Sequence, residues 1–138
     1  MEVCGLVSKP MRLSREDLAT LPGQIPDVRE RFAGRRGRGV LLASVLDLVQ
    51  RQDGVGKMKL TSADGAFSAE VDLEDAAEAV LVYELDGDPL PAAEGGPVRF
   101  FLHDAETCRG HGDVPCANVK NLGRIELTGA ASGGREEA

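Results

Sequence analysis

The chain has no tryptophan, one tyrosine and four phenylalanines among its 138 residues. Large rings are therefore scarce, and the core must be built mainly from Leu, Val, Ile and Ala. No apolar run approaches the roughly 18–20 residues that a bilayer-crossing helix requires, which sets aside a helical membrane anchor. The start, Met1-Glu-Val-Cys-Gly-Leu-Val, lacks a basic stretch followed by a long apolar one, so no signal peptide is expected. Cysteine is scarce: three residues, an odd number that suits a reducing compartment, and a cytoplasmic location is the expectation. Positive charge is also short. Sixteen Lys and Arg against 23 Asp and Glu leave a net charge of −7, which argues against general nucleic-acid binding.

What is present fits one domain. Apolar residues make up 42% and charged residues 28%, enough for one hydrophobic core in a folded chain of this length. Residues 1–128 are read as the domain. Residues 129–138, with few apolar anchors, are read as a disordered tail. Val3, Leu6 and Val7 give an extended start that ends before Pro10. Ser14 and Asp17 stand at capping-box spacing and open a short helix over 14–21, which Pro22 and Gly23 stop. Residues 23–39 read as a loop. Leu41, Leu42, Val45, Leu46 and Val49 recur at helical spacing. Met58 and Leu60 alternate with polar residues, Ala63-Asp64-Gly65 supplies a turn, and Phe67 to Val71 returns. A short helix is expected over Leu73 to Glu78, a buried strand at Val80 to Tyr83, and a turn at Asp86 to Pro89. Val98 to Leu102 and Leu122 to Leu127 read as strands. The sum is a β-rich α+β domain.

Several segments, in order, then resemble one family. "VCGLVSKPMRLSREDLATLP" (3–22), "GRGVLLASVLDLV" (37–49), "KMKLTSADGAFSAEVDLEDA" (57–76), "AVLVYELDGDPLPAAEGGPVRFFL" (79–102) and "NVKNLGRIELT" (118–128) are similar to the molybdopterin-binding domain of the sulfite oxidase family. The likeness spans about residues 3–128 and implies that family's mixed β-rich fold. It also implies a molybdenum-dependent oxidoreductase that uses molybdopterin as cofactor. By this resemblance Arg99 matches a pterin-contacting Arg, Asn118, Val119 and Lys120 match an anion-holding segment, and Asp64 matches a turn residue that touches the cofactor.

The departures are equally specific. Gly37 stands where the family has a Trp. Glu94 stands where many members have a His, which puts a negative charge near an anionic cofactor. In the family a cysteine thiolate ligates molybdenum from the loop equivalent to Pro26–Gly37. Here that loop reads "PDVRERFAGRRG", and no cysteine lies between Cys4 and Cys108. The expectation is a molybdopterin-binding, oxidoreductase-like domain that has lost the usual molybdenum chemistry. The alternative is a non-catalytic module on the same scaffold that binds an anion or a protein.

Two further clusters carry candidate chemistry. Arg29, Arg31, Arg35, Arg36 and Arg38 place five guanidinium groups within ten residues, suited to an anionic ligand or an acidic partner; the plain alternative is a solvated loop paired with the acidic excess. His103, Cys108, His111 and Cys116 offer imidazole and thiol donors, with Cys108, His111 and Cys116 as candidate ligands for zinc or iron. A Cys108–Cys116 disulfide and free thiols remain alternatives. By the resemblance this segment lies between the two cofactor-binding stretches, so Cys108 or Cys116 is also a candidate replacement metal ligand. Ser44 lacks the His and acid of a nucleophile triad, and Glu74, Asp75 and Glu78 read as a solvated face.

Overall fold

The computed structural model describes residues 1–32, 34–102 and 118–129. Its first sheet is mixed, in the order β2-β1-β10-β5-β6. It is formed by β1 (Glu2–Gly5), β2 (Met11–Arg12), β5 (Val55–Ser62), β6 (Ser68–Asp72) and β10 (Leu122–Gly129). β1 and β10 run parallel, with Val3 opposite Ile125, although they come from opposite ends of the chain. β5 pairs antiparallel with both β10 and β6. The second sheet runs β3-β4-β7-β8, with β9 also paired to β7. Its strands are β3 (Gln24–Ile25), β4 (Arg38–Leu41), β7 (Val80–Leu85), β8 (Asp88–Pro89) and β9 (Arg99–Phe101).

β7 shows why a continuous apolar run becomes a strand here. Alternate side chains point to opposite faces. Leu81 and Tyr83 enter the main core with Val40, Leu60, Phe100 and Ile125. Val80 and Val82 enter a second cluster with Ile25, Val28, Phe32, Leu90 and Phe101. β9 divides likewise, Phe100 going to one cluster and Phe101 to the other. A strand covered on both faces needs no polar alternation.

The helices follow their sequence signals closely. α1 (Arg15–Ala19) opens with the reciprocal capping box: the Ser14 hydroxyl accepts from the Asp17 amide, and the Asp17 carboxylate from the Ser14 amide. α2 (Leu42–Val49) buries Leu42, Val45, Leu46 and Val49, the i, i+3, i+4, i+7 stripe. No described helix is long and apolar enough to cross a membrane.

Three expectations need correction. Residues 23–39 are more ordered than a loop. Gln24 and Ile25 pair with Val40 and Gly39, and a 3-10 turn spans Val28–Glu30. The paired residue Gly39 is what lets β4 approach β7, since a Cβ there would stand 2.6 Å from the Leu81 carbonyl oxygen. The expected helix at Leu73–Glu78 is instead a series of turns, mostly closed by bonds three residues back, such as Ala77 N–H to the Glu74 carbonyl. Asp72, Glu74, Asp75 and Glu78 crowd like charge there, and the segment is too short for a helix to propagate. Finally, Gly129 belongs to β10; the rest of the expected tail lies outside the described residues.

Candidate functional site

Three loops meet at one end of the domain, joined through the backbone of Asn121. Its carbonyl accepts from the Ala63 amide at 2.7 Å, and its amide donates to the Gly95 carbonyl at 2.7 Å. To serve both, Asn121 takes a left-handed backbone, φ 51°, which Asn tolerates better than most residues. This draws together the β5–β6 turn, the stretch before β9, and the segment 118–121. The result is a cleft of about 440 Å³ lined by Ser62, Asp64, Ala66, Phe67, Asn118, Lys120 and Asn121. Phe67 is the one large apolar side chain among the described residues that stands exposed.

Asp64 is held firmly. It accepts from the Ser62 hydroxyl at 2.6 Å and the Ala66 amide at 2.9 Å. These bonds favour its charged form and lower its pKa, the Ser62 bond most. Its carboxylate thus closes the turn at the cleft's edge. Asn118 is buried, and its side-chain oxygen accepts from the Leu102 amide at 2.7 Å. Val119 puts its side chain into the core, and its carbonyl accepts from the Phe100 amide. Asn118 and Val119 therefore fasten this segment beside β9 and so place Lys120.

Lys120 and Arg99 come together over Gly95. A Cβ on Gly95 would lie 2.7 Å from Arg99 Cδ and 3.1 Å from Lys120 Cγ, and its φ is +94°. Both the space and the backbone shape call for glycine. Arg99 stacks on Phe101, its guanidinium carbon 5.1 Å from the ring centre, and its buried Nε has no hydrogen-bond partner among the described residues. Its Nη1 donates to the Glu94 carbonyl at 3.4 Å. Burial lowers the Arg99 pKa first and the charge of Arg35 second, while Glu94 acts the other way. Arg35 lies over the same Phe101 ring at 5.2 Å, and Phe32 meets that ring edge-on at 6.0 Å.

The sequence profile of the oxidoreductase molybdopterin binding domain matches residues 29–135, well over half of the chain. This chain belongs to that family. No curated protein matches it. Among solved structures, the crystal structure of the sulfane dehydrogenase SoxCD from Paracoccus pantotrophus is similar, with 18% identity and a TM-score of 0.65. The match covers 92% of this chain and 37% of that one, so the chain spans little more than a third of its length. At this identity the likeness speaks for the fold alone, and the β-rich architecture with few helices that the sequence led us to expect is the one found.

The residues of this oxidoreductase molybdopterin-binding domain fit one end of the family's cofactor. A half-buried guanidinium whose Nε has no partner among the described residues, stacked on a ring beside a lysine, is suited to a phosphate group. The metal end differs. Among the described residues of the Pro26–Gly37 loop, the buried side chains are Val28 and Phe32, both packed in an apolar cluster. Among the described residues no group of three His, Cys, Asp or Glu is placed to hold a metal ion. Cys4 lies on β1, where its sulfur accepts from Arg124 Nε at 3.2 Å. The candidate ligands His103, Cys108, His111 and Cys116 lie outside the described residues, and zinc or iron finds no support among those described.

The arginine cluster divides on inspection. Arg29 pairs with Asp27 at 2.9 Å, Arg36 with Asp86 at 3.3 Å, and Arg31 approaches Glu78 at 4.0 Å. Arg38 turns to Gln24 and Tyr83. Most of the cluster thus meets the acidic excess, as the plainer sequence reading has it. Only Arg35 reaches the Phe101 ring. Sequence reasoning missed the Arg35–Phe101–Arg99 stack, because nothing in local spacing joins positions 35, 99 and 101. Phe67, three residues after Asp64 in the turn, could have been found as an apolar residue beside a polar turn. Ser44, which the sequence gives no triad partners, donates to the Pro22 carbonyl at 2.6 Å.

Proposed function

We propose that this domain binds molybdopterin through its phosphate, held by Arg99 and Lys120, with Asp64, Asn118 and Val119 framing the cleft beside them. The observation that carries this reading is the buried Nε of Arg99, without a hydrogen-bond partner among the described residues, next to Lys120 at Gly95. Arg99 supplies an oriented donor for a phosphate oxygen, and Lys120 supplies a mobile positive charge. Asn118 and Val119 act through the backbone, keeping Lys120 in register with β9. When bound, the cofactor's dithiolene holds molybdenum and supplies oxygen-atom transfer and electron chemistry.

A second reading is favoured by the Pro26–Gly37 loop, whose buried side chains offer no thiolate. On that reading the scaffold binds its anionic ligand, or an acidic protein, without turnover. One experiment bears on both. The natively purified chain is assayed for molybdenum and for pterin released on denaturation, alongside Arg99→Ala and Lys120→Ala. Pterin in the parent that falls sharply in both variants supports the phosphate site. Pterin with molybdenum points to oxidoreductase chemistry, and pterin without it to the binding module. Unchanged pterin in both variants rejects the assignment of Arg99 and Lys120.

A further inference from the structure

One loop arginine is used differently from its neighbours. Arg29, Arg31 and Arg36 are exposed and meet carboxylates on the surface. Arg35 is half-buried, with its guanidinium carbon 5.2 Å from the centre of the Phe101 ring. Arg99, from β9, lies 5.1 Å from the same centre. Phe101 is held in turn by Phe32 from the arginine loop. Two cations brought from distant parts of the sequence thus share one buried ring.

Two guanidinium groups at one ring gain cation–π attraction, about 0.5–1 kcal/mol each at exposed sites and more when desolvated. They also repel each other, and partial burial leaves less water to screen that repulsion. An anion placed within reach of both would relieve the repulsion and gain from each. A doubly charged, tetrahedral anion gains most, because separate oxygens can face separate guanidiniums. Lys120 adds a third positive charge beside Arg99.

We infer that Arg35 is a second guanidinium of the phosphate site, so that a dianionic phosphate monoester is held between Arg35 and Arg99 at Phe101. The inference rests on the proposed reading of Arg99 and adds a residue that the family resemblance does not assign. Phe101 is then the platform that sets the direction of both groups. The arginine loop, whose outer members only pair with surface acids, contributes to binding through this one inward member.

The test uses the full chain with inorganic phosphate as the probe, titrated calorimetrically at low salt and about pH 8, where phosphate is largely dianionic. Arg35→Gln and Arg99→Gln are each expected to weaken phosphate binding about tenfold or more, the scale of one charge-assisted hydrogen bond. Arg35→Lys, which keeps the charge but loses the flat fork, should bind with intermediate affinity. If Arg35→Gln binds phosphate as the parent does while Arg99→Gln does not, Arg35 has no part in the site and the Arg99 reading stands. If neither variant changes the affinity, both readings fail. A melting temperature that drops in Arg35→Gln, with no recovery of affinity in Arg35→Lys, makes Arg35 a packing residue and overturns the inference.

Discussion

Arg38 donates its Nε to the phenolic oxygen of Tyr83 at 3.2 Å, which joins residues 45 positions apart into one polar knot. The Tyr83 hydroxyl donates to the Gln24 side-chain oxygen, and Arg38 Nε also approaches that oxygen at 3.3 Å. The Gln24 amide in turn donates to the carbonyls of Leu18 and Leu21, both at 2.9 Å. The end of α1 is thereby fixed to β3, β4 and β7. Tyr83 is fully buried, so its hydroxyl has no water to fall back on. Tyr83→Phe is expected to destabilise the domain by about 1–2 kcal/mol, because it removes two hydrogen bonds of the network and leaves Arg38 Nε and the Gln24 oxygen only each other. Urea unfolding measures this; a loss below a few tenths of a kcal/mol would show that the knot is dispensable.

Gly95→Ala should damage stability and binding together. The new methyl would meet Arg99 Cδ at 2.7 Å, and the positive φ adds strain of about 1 kcal/mol or more. The expected outcome is a lower melting temperature together with weaker phosphate binding, since both cations must move. A variant that loses stability but binds phosphate normally would separate Gly95 from the site.

The acid limb of stability carries a contribution from Asp64. Its pKa is lowered in the folded domain by the Ser62 and Ala66 bonds. A depressed carboxylate pKa stabilises fully above the unfolded value, near 4, and that stability is lost as pH falls through the folded value. Asp17 and Asp27, also lowered by hydrogen bonds from Ser14 and Arg29, act in the same direction. Asp64→Asn is expected to lower the melting temperature at neutral pH, where this contribution is fully present, and to fall less steeply than the parent as pH drops below about 4, so that the two curves converge. An unchanged acid limb would count against this contribution.

Arg36 and Asp86 form an exposed pair at 3.3 Å, with side chains 54% and 77% accessible. Pairs so open to solvent are worth about 0–1 kcal/mol and are screened by salt. Arg36→Gln is therefore expected to shift stability by less than about 1 kcal/mol and to leave phosphate affinity near the parent value. Its contrast with Arg35→Gln distinguishes an outward from an inward member of the same cluster. A tenfold loss of phosphate affinity in Arg36→Gln would show that the loop acts as a diffuse basic patch.

Much of the local structure was legible because short-range physics decides it. The Ser14 and Asp17 pair names the start of α1, and the spacing Leu42, Val45, Leu46, Val49 names the buried face of α2. Leu73–Glu78 misled because helical spacing said nothing of its length or its crowded carboxylates. Residues 24 and 25 looked like loop because a two-residue strand exists only through its partners, Val40 and Gly39.

By its sequence alone the chain determined its elements, its acidic surface, its family and the lack of a cysteine between Cys4 and Cys108. It also marked Arg99 and Lys120, because the stretches around them resemble the family. Tertiary structure alone decided that Arg35 shares a ring with Arg99, that Asn121 joins two distant loops, and that Phe32 packs against Phe101. Those relations depend on long-range packing and on which side chains lose water together, and neither is encoded in local spacing.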